Sequence, residues 1–146
     1  VYQLIYASRA TAHVDHTELV AITAQSAADN TRRGVTGALL FCGGYFLQML
    51  EGDESTVRKL YARIAGDPRH ADVQLLAAHE VAARAFPNWG MCGWHEQQLA
   101  SELDPARVAS LIDAVRAGVK GRQLTADAVD LLNDLRAALT RSADAA

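Results

Sequence analysis

The sequence predicts an α+β fold in which an antiparallel sheet carries two helices on one face, with two further helices after it. Three observations predict it. Short apolar runs and helical periodicities alternate in the order β-α-β-β-α-β-β along the first two-thirds of the chain. Gly43-Gly44 joins two of the apolar runs, and paired glycines accept the positive φ of a tight hairpin turn. The last third changes character, with two amphipathic stretches and no strand signal between them.

Taken in order, Tyr2 to Ser8 is short, apolar and aromatic, which reads as a strand. Asp15 or Thr17 can cap a helix whose apolar positions Leu19, Val20 and Ile22 recur up to Ala28; it is expected to end near Asp29-Asn30. Val35 to Cys42 and Tyr45 to Gly52 form the hairpin. Asp53, Ser55 or Thr56 caps a second helix with the stripe Val57, Leu60, Tyr61 and Ile64, stopped by Gly66-Asp67-Pro68. Val73 to Ala78 reads as a fourth strand and Gly90 to His95 as a fifth. Asp104-Pro105 opens a helix that Gly118 ends, and Thr125 caps a last one. A β-α-β-β-α-β core is the ferredoxin-like arrangement. Its second sheet face also needs cover, from the C-terminal helices or from a partner subunit. The expected division is a sheet domain over 1–97 and a helical cap over 98–146.

Composition narrows the function classes. The chain has 146 residues, half of them hydrophobic, and a formal net charge of −3, enough for one core and without the basic stripe of a nucleic-acid binder. No apolar stretch is long enough to span a bilayer, and the start lacks the basic and apolar regions of a secretory signal, so a cytoplasmic protein is expected. Cys42 and Cys92 are far apart in sequence and read as reduced. His13 and His16 have no carboxylate or cysteine at ligand spacing. No P-loop, nucleophile elbow or dinucleotide fingerprint is present.

Gln48 is the residue that stands out. It sits between Leu47 and Met49, on the strand face shared by Phe46 and Leu50. A buried amide must find partners or cost stability. It either faces solvent by alternation or faces a polar ligand, and parity does not separate the two. Taken singly, Tyr6 reads as a core tyrosine, Asn30 and Arg32 as a helix end and a solvated charge, and Trp89 and Met91 as core.

Together these residues resemble the BLUF family of FAD-using blue-light sensors. The resemblance is carried by Leu4-Ile5-Tyr6-Ala7-Ser8, by Asn30-Thr31-Arg32-Arg33-Gly34-Val35-Thr36-Gly37-Ala38-Leu39-Leu40, and by Phe46-Leu47-Gln48-Met49-Leu50-Glu51-Gly52. Asp67-Pro68-Arg69-His70 and the run from Arg84 through Phe86-Pro87-Asn88-Trp89 to Met91 complete it. The order and spacing hold over roughly two-thirds of the chain. The trailing helices are similar to those of short, PixD-like members that have no fused output domain.

The resemblance implies a photoreceptor, not an enzyme, with FAD held non-covalently and FMN or riboflavin as the alternative flavins. It implies that Tyr6 donates an electron and then a proton, and that Gln48 bridges Tyr6 and the flavin edge. Asn30 and Arg32 are then placed by the pyrimidine part of the ring, and Ile22 and Ser26 line it from the first helix. Arg63, Ile64, Asp67 and His70 fall where the second helix and its end meet the ring, ribityl chain or phosphates. Trp89 and Met91 couple the glutamine to the fifth strand. Asp29 stands where relatives often carry Asn or His, and is expected to face water at the helix end. The implied partners are a separate downstream signalling protein and further copies of the chain, with no nucleic acid and no membrane.

Two other readings were open to the same residues. An acyl-phosphate hydrolase on this fold would use Asn30 and Arg32, but Ser8-Arg9-Ala10-Thr11-Ala12 lacks the glycine of a phosphate loop. A ligand-free interaction domain is opposed by the intact set Tyr6, Gln48, Asn30 and Trp89.

Overall fold

Period-two alternation along three strands divides the apolar side chains between two sheet faces, and the fold follows from covering both. In the computed structural model, which describes residues 1–87, 90–95 and 104–119 together with residue 137, five strands form one sheet. They are β1 (Tyr2–Ala10), β2 (Thr36–Cys42), β3 (Tyr45–Gly52), β4 (His70–Glu80) and β5 (Cys92–His95). Their order is β4-β1-β3-β2-β5. The first four pair antiparallel, and β5 joins β2 in parallel at the edge. This is the ferredoxin-like arrangement, extended by one strand.

Helices α1 (His16–Arg32) and α2 (Glu54–Ala65) cover the face presented by Tyr2, Leu4, Tyr6, Leu39, Phe41, Phe46 and Leu50. Asp15 and Asp53 cap them, each carboxylate accepting a backbone N–H three residues on. The opposite face, with Ala7, Ala38, Leu40, Cys42 and Leu47, is covered by Ile112 and Val115 of α3 (Pro105–Val119) and by Phe86. The cover for the second face is thus supplied by the chain itself. The expected last helix after Thr125 lies outside the described residues. Among the described residues, no helix is long and apolar enough to cross a membrane.

Several boundaries differ from expectation: β1 runs on to Ala10, β4 to Glu80 and α3 past Gly118 to Val119, and three others have a clear local cause. α1 continues to Arg32 instead of stopping at Asp29-Asn30. Gly34, at φ +70°, ends it with a Schellman pair in which Gly34 N–H reaches the Thr31 carbonyl and Val35 N–H reaches the Asn30 carbonyl. Asn30 therefore lies in the last helical turn. β4 begins at His70, three residues before Val73, because β1 extends to Ala10 and pairs with it there. β5 begins at Cys92, because Gly90 is held against α1. The hairpin turn is as expected, with Gly43 and Gly44 at φ +59° and +82°.

Register places the site. Tyr6 lies opposite Gln48 across β1 and β3, so both point to the α1/α2 face. A one-residue slip would turn both to the α3 face and empty the core of Leu4 and Leu50. Leu50 is fully buried, so Leu50→Ala is expected to cost about 2–5 kcal/mol, read as a lower urea midpoint. A loss below about 1 kcal/mol would contradict the core assignment.

Candidate functional site

The centre of the α1/α2 face is a polar pair in an apolar layer. Tyr6 is 0% exposed and Gln48 6%. The Tyr6 hydroxyl donates to Gln48 Oε1, and Gln48 Nε2 lies 3.5 Å from Met91 Sδ. Both ends of the amide are thus engaged, one by a strong partner and one by a weak one. Burial pushes the Tyr6 phenol well above its ordinary pKa, and Tyr61 and Asp67 add to the shift. The phenol is held neutral, with its proton directed at the amide.

Around Tyr6 stand Tyr61, at 5.4 Å between ring centroids, and His70, at 6.1 Å. His70 packs on Phe46 at 4.7 Å, and its Nδ1 is 2.6 Å from Ser8 Oγ. Burial lowers the His70 pKa; Asp67 opposes this and Arg69 adds to it.

Above Gln48, α1 and α2 part to form a cavity of about 190 Å³. α1 lines it with Ile22, Gln25, Ser26, Asp29 and Asn30, and α2 with Leu60, Arg63 and Ile64. Gln48 reaches it from the sheet, and Arg33, Asp67 and Arg69 complete the wall. Hydrogen bonds from Arg69 hold the Asp67 carboxyl down at about 2. The donor set suits a planar ring with a hydrogen-bonding edge, flanked by apolar walls, and an anionic tail near the guanidinium groups.

The sequence-expected residues thus fall into four groups. Ile22, Ser26, Asn30, Gln48, Arg63, Ile64 and Asp67 line one cavity. Tyr6, His70 and Met91 sit beside Gln48 or Tyr6 and are absent from that lining. Arg32 is exposed and paired with Asp29 on the helix surface, while its neighbour Arg33 lines the cavity. Trp89 lies outside the described residues. Asp29 both lines the cavity and holds Arg32, so its carboxylate is already partnered.

Gln25, Arg33, Leu60 and Arg69 also line the cavity and were not among the site residues expected from sequence. Gln25 and Leu60 could have been found, since each lies within four residues of an expected lining position on its own helix. Arg33 and Arg69 lie beyond helix ends, where periodicity gives no direction.

Asn30 has a structural task as well. It is 2% exposed, and its Nδ2 donates to the Gly90 carbonyl at 3.0 Å. A Cβ at Gly90 would stand 2.4 Å from Thr31 Oγ1 and 2.5 Å from the Ala27 carbonyl, so only glycine fits this close against α1. Met91 follows directly, and its sulfur is delivered to Gln48.

Comparison with known proteins agrees with this geometry. The family model described as BLUF, sensors of blue-light using FAD, matches residues 1–92. Photoactivated adenylate cyclase subunit beta of Euglena gracilis is 36% identical over 99 residues, 67% of this chain and 12% of that protein. The blue light- and temperature-regulated antirepressor BluF of Escherichia coli K12 is 44% identical over 62 residues, 42% of this chain and 15% of BluF. The chain thus spans well under a quarter of the length of these curated relatives. Among solved structures, the dark state of BlrB, a BLUF protein, superposes with a TM-score of 0.75 at 27% identity, covering 97% of this chain and 96% of BlrB. A bacterial light-regulated adenylyl cyclase gives 0.68 at 33% identity, over 79% of this chain and 33% of the cyclase. With a buried tyrosine–glutamine pair under a two-helix cavity, and with the family model matched over residues 1–92, the chain belongs to the BLUF family of flavin-using blue-light sensors.

Proposed function

We propose that Tyr6 and Gln48 form the light-operated switch of this sensor, and that the α1/α2 cavity holds the flavin as FAD. The observation that carries the reading is the Tyr6–Gln48 hydrogen bond at the floor of that cavity. Bound flavin supplies the absorption of blue light and an acceptor for one electron. Tyr6 is the residue placed to give up an electron and then its hydroxyl proton, which leaves along the bond to Gln48 Oε1. The Gln48 amide has a donor end and an acceptor end, so reversing it exchanges which end meets Tyr6 and which meets Met91. No covalent bond within the chain breaks, so the change is reversible. Because the pair is buried, its two arrangements are discrete.

The same reading assigns Asn30 to the polar edge of the ring, Ile22, Ser26 and Ile64 to its faces, and Arg63 and Asp67 to the ribityl and phosphate side. Arg33 and Arg69 join them there. The guanidinium groups of Arg33, Arg63 and Arg69 in the cavity lining favour a phosphorylated flavin over riboflavin. Arg32 is assigned no contact with the ring. His70 acts on the ring through its packing around Tyr6, and Trp89 is kept as a partner of Met91 in relaying the change. Residues 1–97 are the sensing unit and 98–146 the cap. The signal passes to a separate protein in the cytoplasm, and copies of the chain associate through apolar surface such as Leu75 on the β4 edge, 49% exposed.

The test is an absorption spectrum of the flavin-loaded chain before and after blue light. A reversible red shift is expected, and FAD is expected on release of the cofactor by heat. Tyr6→Phe and Gln48→Leu should each retain the flavin and lose the shift. A shift that survives in either variant would overturn the switch assignment.

Acid sensitivity provides a second test. The folded-state pKa of His70 is lowered from 6.5, so folding favours the neutral ring. The stability this contributes is complete above about pH 6.5 and is lost as pH falls through the lower folded value. The Tm should therefore fall as pH drops below about 6.5, and His70→Gln should flatten that fall. Equal slopes for the two proteins would contradict the account of His70.

A further inference from the structure

Glu51 is a buried carboxylate on β3 that the switch does not use. It is 0% exposed, three residues after Gln48 and therefore on the other sheet face. Its two oxygens receive four donors. Gln3 Nε2 and Ala85 N–H reach Oε1 at 2.9 and 2.7 Å. Phe86 N–H and Thr36 Oγ1 reach Oε2 at 3.1 and 3.5 Å. Arg84 fastens the same stretch, donating to the carbonyls of Gly34 and Glu51 at 2.8 and 3.3 Å and to Thr36 Oγ1 at 2.9 Å. The Phe86 side chain is buried in the core under α3.

Burying a carboxylate is costly, and an apolar side chain of similar volume would serve stability as well or better. What a carboxylate does that an apolar group cannot is fix two successive backbone N–H groups of a connecting segment. That segment leads to Gly90 and Met91, which are held on the opposite face by Asn30 and Gln48. β3 thus grips the β4–β5 connection twice, through Glu51 on the α3 face and through Gln48 on the α1/α2 face, roughly 10 Å apart along the strand. The Gln48 grip is a weak contact to sulfur, and it is the one that the switch alters. The Glu51 grip is made of strong bonds to backbone.

We propose that Glu51 is a positioning residue that anchors residues 84–86, so that a rearrangement of Gln48 displaces Met91 and β5 and leaves β4 and the start of the connection in place. This rests on the switch reading above, and its test keeps the two apart. Light then moves one edge of the sheet, the parallel edge strand β5, relative to a fixed frame of β1 to β4.

The test is amide hydrogen exchange on the flavin-loaded chain, dark and illuminated, for wild type and Glu51→Gln. Glutamine keeps the size but replaces one acceptor oxygen with an NH₂ facing a donor. In the dark, Ala85 and Phe86 should exchange about tenfold faster in Glu51→Gln, as expected for loss of one buried hydrogen bond. In wild type, light should change exchange within 90–95 and leave 84–86 protected. In Glu51→Gln the light-dependent change should spread to 84–86, while the absorption shift persists. Exchange at Ala85 and Phe86 within twofold of wild type would overturn the anchor. So would a wild-type light response as large at 84–86 as at 90–95, an arm that needs no variant. A wild type with no absorption shift would instead defeat the switch reading, and the dark exchange comparison would still judge the anchor.

Discussion

A single hydrogen bond across the two central strands, from the Tyr6 hydroxyl to the Gln48 amide oxygen, sets constraints that much of the fold satisfies. The bond exists because β1 and β3 pair directly with these residues opposite each other. That adjacency follows from the split β-α-β topology, in which β3 inserts between β1 and β2. The tight turn at Gly43 and Gly44 fixes the β2–β3 register and so the face on which Gln48 stands. A buried phenol and a buried amide would each be costly alone; together they satisfy one another.

The surroundings divide the labour. α1 and α2 leave an opening over Gln48 lined by Ile22, Leu60 and Ile64, with the Gln48 amide reaching it from the sheet and the guanidinium groups of Arg33, Arg63 and Arg69 among its walls. The segment before β5 is brought to the pair by Asn30, which grips Gly90 where no side chain fits. Met91 then offers Gln48 a soft acceptor. An amide tied firmly at one end and loosely at the other is held in one state without being locked there, as a reversible switch requires. Glu51, on the opposite face, gives the same segment a strong attachment, so rigidity and freedom sit a few residues apart.

Much of this was legible in the sequence, and the remainder failed for physical reasons. Strand alternation and helix caps gave the element order, because the apolar pattern of Leu4, Tyr6, Leu39, Phe41, Phe46 and Leu50 encodes one face directly. The end of α1 was misplaced by two residues. Helical propensity fades at Asp29-Asn30, whereas the terminating signal is Gly34, set by a backbone conformation that periodicity does not report. The parity of Gln48 was undecidable from its strand alone, since register needs the partner strand; the family resemblance supplied that partner as Tyr6. Arg33 instead of Arg32 at the cavity is a matter of one 100° step around a helix end, finer than sequence patterning resolves there. Glu51 carried no signal as an anchor, because its donors Ala85 and Phe86 are backbone groups 34 and 35 residues away.

The central claim is that light reverses the hydrogen bonding of the Gln48 side chain. Light-minus-dark infrared difference spectroscopy on chain carrying isotope-labelled glutamine side-chain amides tests it most directly. The account predicts a label-sensitive amide carbonyl band that shifts on illumination, returns in the dark and is missing from Gln48→Leu. An absorption shift of the flavin with no label-sensitive band would contradict it.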